Sequence, residues 1–152
     1  LRVELCQLYN FGKAESETVG RVEVKIEFEV SDIIPASPGE IYTAWLDSKG
    51  HSAMTGSPAK ASPEVGAEFA AWEGYIHGRN LELEPGKRIV QAWRTTEFDP
   101  ADEDSILEIT FKPVKGGTRI KLRHKNLPLH GTIYREGWVE NYFLPMKEYF
   151  SR

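Results

Sequence analysis

Two periodicities divide the chain. From residue 22, Val22, Val24, Ile26, Phe28 and Val30 alternate with Glu23, Lys25, Glu27 and Glu29, the period of two that gives a strand one buried and one wet face. Across 131–152, Tyr134, Trp138, Tyr142, Met146 and Tyr149 recur every three or four residues, widened by Val139, Phe143 and Phe150, which makes one helical stripe. A stripe that broad needs an apolar partner, and the segments between read as strands. Residues 68–72 and 75–83 form two, joined near Glu73-Gly74. Glu84-Pro85-Gly86-Lys87 has Pro and Gly in the order of a type II turn and leads into 88–94, with Ile89, Gln91 and Trp93 on one face. Residues 105–113 place Leu107, Ile109 and Phe111 together. Gly116-Gly117 marks a hairpin, and 118–125 return with Thr118, Ile120, Leu122 and His124 on one side.

Helices break the strand series at two places. In ASPGEIYTAWLDS, Ser37 is placed to cap, Pro38 suits the first helical position and Glu40 completes a capping box. A short helix to about Leu46 follows, and a second helical turn is expected around Ser52–Met54. The closing helix starts near Thr132. Pro145 removes a hydrogen bond inside it and predicts a kink near Asn141 to Pro145, with any pocket opening between the Trp138 half and the Tyr149 half. Strands in hairpin succession with helices segregated to one face define an α+β fold: a curved antiparallel sheet of about six strands around a long C-terminal helix, with two short helices after the first strand. Residues 1–20 are expected to be an arm or extra strand plus a polar linker, and 21–152 the folded domain.

Composition narrows the function classes. Of 152 residues, 19 are Lys or Arg and 23 Asp or Glu, a net charge of −4 with no basic tract to neutralise phosphates, so nucleic acid is not an expected partner. No stretch approaches the roughly 18 apolar residues of a membrane span. A single cysteine, Cys6, forms no internal disulfide and fits a reducing compartment, so a cytoplasmic protein is expected. His51, His77, His124 and His130 show no metal spacing, and no P-loop, dinucleotide fingerprint or nucleophile elbow occurs. No metal, cofactor or catalytic residue is expected. The acidic stretch TEFDPADED reads as a solvated hairpin end.

In order along the chain stand ASPGEIYTAWLDS, Gly74-x-Ile76-x-Gly78 with Leu81-Glu82-Leu83, RIVQAWR, Ser105 opening a strand, GGT, NLP and GW-x-x-x-YF. This series resembles the activator of heat-shock-protein-90 ATPase homologue (AHSA-type) family of the START and birch-pollen-allergen-like helix-grip (SRPBCC) superfamily, over about residues 22–150. The resemblance implies a helix-grip fold with a cavity between sheet and C-terminal helix. Polar groups on otherwise inward faces would orient a ligand there: His124, Gln91, and, unless a bulge at Gly78 breaks the parity, His77 and Arg79. With Trp45, Trp72, Tyr75, Trp93, Phe111, Trp138, Tyr142 and Met146 they make up the candidate ligand-binding set. The expected function is non-catalytic binding of a hydrophobic or aromatic small molecule by a monomer or weak homodimer. The alternative is a chaperone-associated or stress-response interaction module, with a heat-shock-protein-90-type chaperone as partner. A third reading, a cyclase- or hydrolase-like enzyme with His124 or His77 as base, lacks a carboxylate paired with either histidine.

Overall fold

The computed structural model describes residues 2–3 and 22–152. Strand β1 (Arg2–Val3) pairs antiparallel with β2 (Val22–Glu23); the rest of the 1–20 segment, Cys6 included, lies outside the described residues. In β3 (Ile26–Ile34) the alternation places Val30 and Ile34 in the core and Glu27, Glu29 and Ser31 in water.

Helix α1 (Pro38–Trp45) begins on the capping box expected for it. The Glu40 N–H donates to Ser37 Oγ at 3.2 Å and the Ser37 N–H to Glu40 Oε1 at 3.0 Å, so two orphan donors of the first turn are satisfied. Helix α2 (Ser48–Thr55) is longer than the single turn expected; Asp47 caps it by accepting from the Gly50 N–H at 2.7 Å, and Gly56 ends it at φ 83°.

The sheet continues with β4 (Ala59–Lys60), β5 (Glu68–Ala71), β6 (Ile76–Glu84), β7 (Arg88–Thr95), β8 (Ser105–Val114) and β9 (Gly117–Leu127). Seven strands run in the order β3-β9-β8-β7-β6-β5-β4, every neighbour antiparallel. The strand beyond the expected six is β4, whose two residues pair with Ala70 and Ala71 and are too few to leave a periodic trace in a turn-rich stretch.

One face of the curved sheet grips the C-terminal helix. That helix is composite: a 3-10 turn (Leu129–Thr132), α3 (Ile133–Trp138), a π-helical turn (Val139–Phe143) and α4 (Leu144–Phe150). Where a kink was expected between Asn141 and Pro145, the helix carries that π turn. Pro145 has no N–H to give the Asn141 carbonyl and its ring crowds the preceding turn; a wider turn just before it relieves the crowding, and Asn141 is exposed. Between helix and sheet lies one core that includes Ile34, Ile41, Leu46, Ile89, Leu107, Ile109, Ile120, Leu122, Phe143 and Met146. The molecule is an α+β helix-grip.

Candidate functional site

Directly beneath Trp138 the interior is filled. The Trp138 indole N–H donates to His124 Nδ1 at 3.0 Å, which leaves the His124 proton on Nε2. That Nε2–H donates to Ser105 Oγ at 2.9 Å, and the Ser105 hydroxyl donates to the Trp93 carbonyl at 2.7 Å. Every group in the chain Trp138–His124–Ser105–Trp93 is used in one direction, so the imidazole is fixed as a neutral tautomer. Burial holds its pKa down at about 3. The ring packs edge-on to Trp93, with centroids 4.5 Å apart.

A second relay lies one turn further on. The Tyr142 hydroxyl donates to His51 Nε2 at 2.8 Å, and His51 Nδ1–H donates to the Trp45 carbonyl at 2.9 Å. Burial pushes the His51 pKa down and the Tyr142 pKa up, so both stay neutral around pH 7. Trp45 stacks on Tyr142 at 5.0 Å and lies 6.2 Å from Trp138. Among the described residues no buried side-chain donor or acceptor is left without a partner.

Several predicted ligand contacts belong to this packed interior. Phe111 meets Tyr42 edge-on at 5.9 Å, and Met146 is wholly buried. Gln91 donates through Nε2 to Asn80 Oδ1 at 2.9 Å, while Asn80 Nδ2 ties down the carbonyls of Ser62 and Glu64 at 2.8 and 2.9 Å. His77 and Arg79 require correction. The β6–β7 register shifts between Asn80 and Glu82, so one extra residue at Leu81 inverts the parity upstream. Ile76 and Asn80 therefore face the core, whereas Arg79 is exposed and His77 stands half-exposed opposite Ala70. The break falls three residues later than the one considered at Gly78.

The open space is displaced to the flank of the helix. A cleft of about 480 Å³ is lined by Trp72, Tyr75, Ile76, Trp93, Ile133, Tyr134, Glu136, Gly137, Trp138, Glu140, Asn141 and Tyr142. It lies against the Trp138 half of the helix, not between that half and Tyr149. The structure brings five predicted residues together here: Trp72, Tyr75, Trp93, Trp138 and Tyr142. Sequence reasoning missed Glu136, Gly137, Glu140 and Asn141. With Ile133 they form a second helical face, spaced i, i+3, i+4, i+7 and i+8, whose polar members read as plain solvent surface.

Three local features at this cleft run against stability. The Ala71–Gly74 turn closes with Gly74 N–H to Ala71 O at 3.2 Å, and its central residues Trp72 and Glu73 take φ of 52° and 57°. That left-handed pair suits Asn-Gly, and each side chain held there costs about 1–2 kcal/mol. Gly137 sits inside α3, where Gly costs about 1 kcal/mol relative to Ala, although a methyl group there would meet nothing nearer than the Asn141 amide at 3.9 Å. Glu136 and Glu140 lie one turn apart on the same helix as like charges, and neither has an ion pair among the described residues.

The chemistry on offer follows from these contacts. The walls are aromatic and the rim acidic. Tyr75 donates to Glu97 Oε2 at 2.8 Å; the Tyr134 hydroxyl is held by Thr95 Oγ1 at 2.6 Å and His130 Nε2 at 3.0 Å. Neither nitrogen of His124 or His51 is left to accept a proton from a substrate. Among the described residues no three His, Cys, Asp or Glu side chains converge as metal donors, and no helix is long and apolar enough to cross a membrane.

The same architecture recurs in solved structures. A heat-shock-protein-90 activator from Plasmodium falciparum superposes with a TM-score of 0.72 at 24% identity, covering 80% of this chain and 94% of that one. A protein from Mesorhizobium loti gives 0.69 at 20% identity, covering 84% and 98%. By sequence, the human activator of 90 kDa heat shock protein ATPase homolog 1 is 28% identical over 143 residues, 91% of this chain and 42% of its own length. The chain spans less than half the length of such curated relatives. Residues 35–151 match the family model for "Activator of Hsp90 ATPase homolog 1-like protein", and the chain belongs to that family.

Proposed function

We propose that this domain binds a small hydrophobic or aromatic molecule in the flank cleft and performs no covalent chemistry on it. The observation that carries the reading is the convergence of the strained Trp72-Glu73 turn, the helical Gly137 and the Glu136/Glu140 pair on one cleft. Strain and poor local choices persist where function requires them. A volume of about 480 Å³ suits a small ligand, and π-helical turns such as Val139–Phe143 gather at functional sites. No covalent chemistry is expected of His51 and His124, whose nitrogens are committed inside the core. Titration with the neutral fluorophore N-phenyl-1-naphthylamine is expected to give a saturable, one-to-one rise in emission. Gly137→Phe, which fills the cleft, is expected to abolish it. A rise that does not saturate, or that survives the substitution, overturns the proposal.

Family membership favours a second reading, that the domain engages a heat-shock-protein-90-type chaperone. Curated relatives carry that activity in their names, and residues 35–151 are the matched portion. Adding the domain to such a chaperone is expected to raise its ATPase rate; an unchanged rate at saturating domain, with no complex on size exclusion, counts against it.

A further inference from the structure

We propose that the cleft selects a small organic cation, an alkylated ammonium carried on an apolar or aromatic body. This deepens the cleft-binding reading and rests on it. Trp72, Tyr75, Trp93, Tyr134, Trp138 and Tyr142 all line the cleft, yet the polar tips of four are engaged elsewhere. The Trp138 indole N–H donates to His124, the hydroxyls of Tyr75 and Tyr142 donate to Glu97 and His51, and the Tyr134 hydroxyl is hydrogen-bonded to Thr95 and His130. What these rings present to a ligand is carbon and π surface, whose negative quadrupole attracts a cation.

Charge around the opening has one sign. Among the described residues, Glu136 and Glu140 are the ionised groups of the lining, and no Lys, Arg or His belongs to it. Arg135, just before Glu136 in sequence, turns its guanidinium away over the Phe28 ring at 5.9 Å. Glu73 stands exposed beside Trp72 in the turn, and Glu97 holds Tyr75. An anionic ligand would meet carboxylates and find no cationic partner in the lining. A neutral ligand would gain burial alone. A cation with an apolar body gains burial, the aromatic faces and two carboxylates that have no ion pair among the described residues.

The test compares two probes of one shape, 4-(trimethylammonio)phenol and 4-tert-butylphenol, by isothermal titration calorimetry. The cationic probe is expected to bind about tenfold more tightly, a factor within reach of a partly desolvated cation–π contact. In the Glu136→Gln/Glu140→Gln double variant, and again at 0.5 M salt, that advantage should shrink by at least threefold while the neutral probe is unchanged. Its melting temperature should not fall, since the double variant removes a repulsion. Equal affinities, or a preference for the neutral probe, overturn the cation inference and leave the cleft reading standing. If neither probe binds and N-phenyl-1-naphthylamine also fails to saturate, both fall together.

Discussion

On its inward side the C-terminal helix drives Trp138 and Tyr142 into two relays in which each donor has one acceptor, ending on the carbonyls of Trp93 and Trp45. A few ångströms away, the flank of the same helix carries Glu136, Gly137 and Glu140 and faces a turn with two side chains at positive φ. The first region is polar chemistry made invisible: buried groups that would each cost about 1–3 kcal/mol if unpaired are paired, and two histidines are kept neutral. The second collects choices that a sequence selected for stability alone would replace. One helix thus separates the part of the molecule that specifies the fold from the part open to selection for binding.

Substitutions on the two sides should have opposite signs, and the largest effect is expected inside. Trp138→Ala should cost about 3–5 kcal/mol by urea denaturation, since it opens a cavity and strands His124 Nδ1; a loss under 1 kcal/mol would mean that the interior is less tightly coupled than its geometry. Acid comes next. The unfolded imidazole titrates near 6.5, whereas in the fold His124 takes a proton at about 3, so between those values the unfolded chain binds the proton and the native state does not. Stability should therefore fall as pH drops from 6.5 toward 3, by about 1.4 kcal/mol per pH unit for this one group, and burial of His51 adds in the same direction. Urea midpoints across this range should show a shallower slope in His124→Gln.

On the flank, Gly137→Ala should stabilise by about 1 kcal/mol, because nothing obstructs the added methyl; destabilisation would show that the glycine serves packing after all. The smallest shift is expected at the turn. Glu73→Gly relieves one left-handed side chain and should raise stability by about 0.5–1 kcal/mol, read as a melting temperature a few degrees higher. Both flank variants should bind the probes no better than the parent.

Much of this was legible in the residues. The alternation from Ile26 to Val30 and the Ser37/Glu40 box are local signals, and the structure uses both. The aromatic pattern singled out Trp138 and Tyr142 with Trp72, Tyr75 and Trp93, and these five line one cleft. His77 and Arg79 were misplaced because a bulge adds one residue to one strand, and the strand's own sequence does not show which partner it skips; the same slip hid Asn80. Gln91 and His124 were rightly put inside, but whether an inward polar group meets a ligand or another side chain depends on partners distant in sequence, here Asn80, Ser105 and Trp138. Glu136, Gly137 and Glu140 looked like solvated helix because the two carboxylates are exposed; what makes them a wall is the Trp72 turn, which lines the same cleft from more than 60 residues upstream.

The π turn has a consequence for phase. Tyr134, Trp138, Tyr142 and Met146 are spaced by fours, and on a regular helix of 3.6 residues per turn each step of four overshoots by about 40°, so the row would wind off the core before reaching Met146. A π turn completes its circle with more residues, and placing one at Val139–Phe143 works like a leap day, absorbing the accumulated excess so that all four side chains are buried. Deleting Asn141 alone should remove the extra residue and restore a regular helix in which Met146, then about two full turns from Trp138, still faces the core.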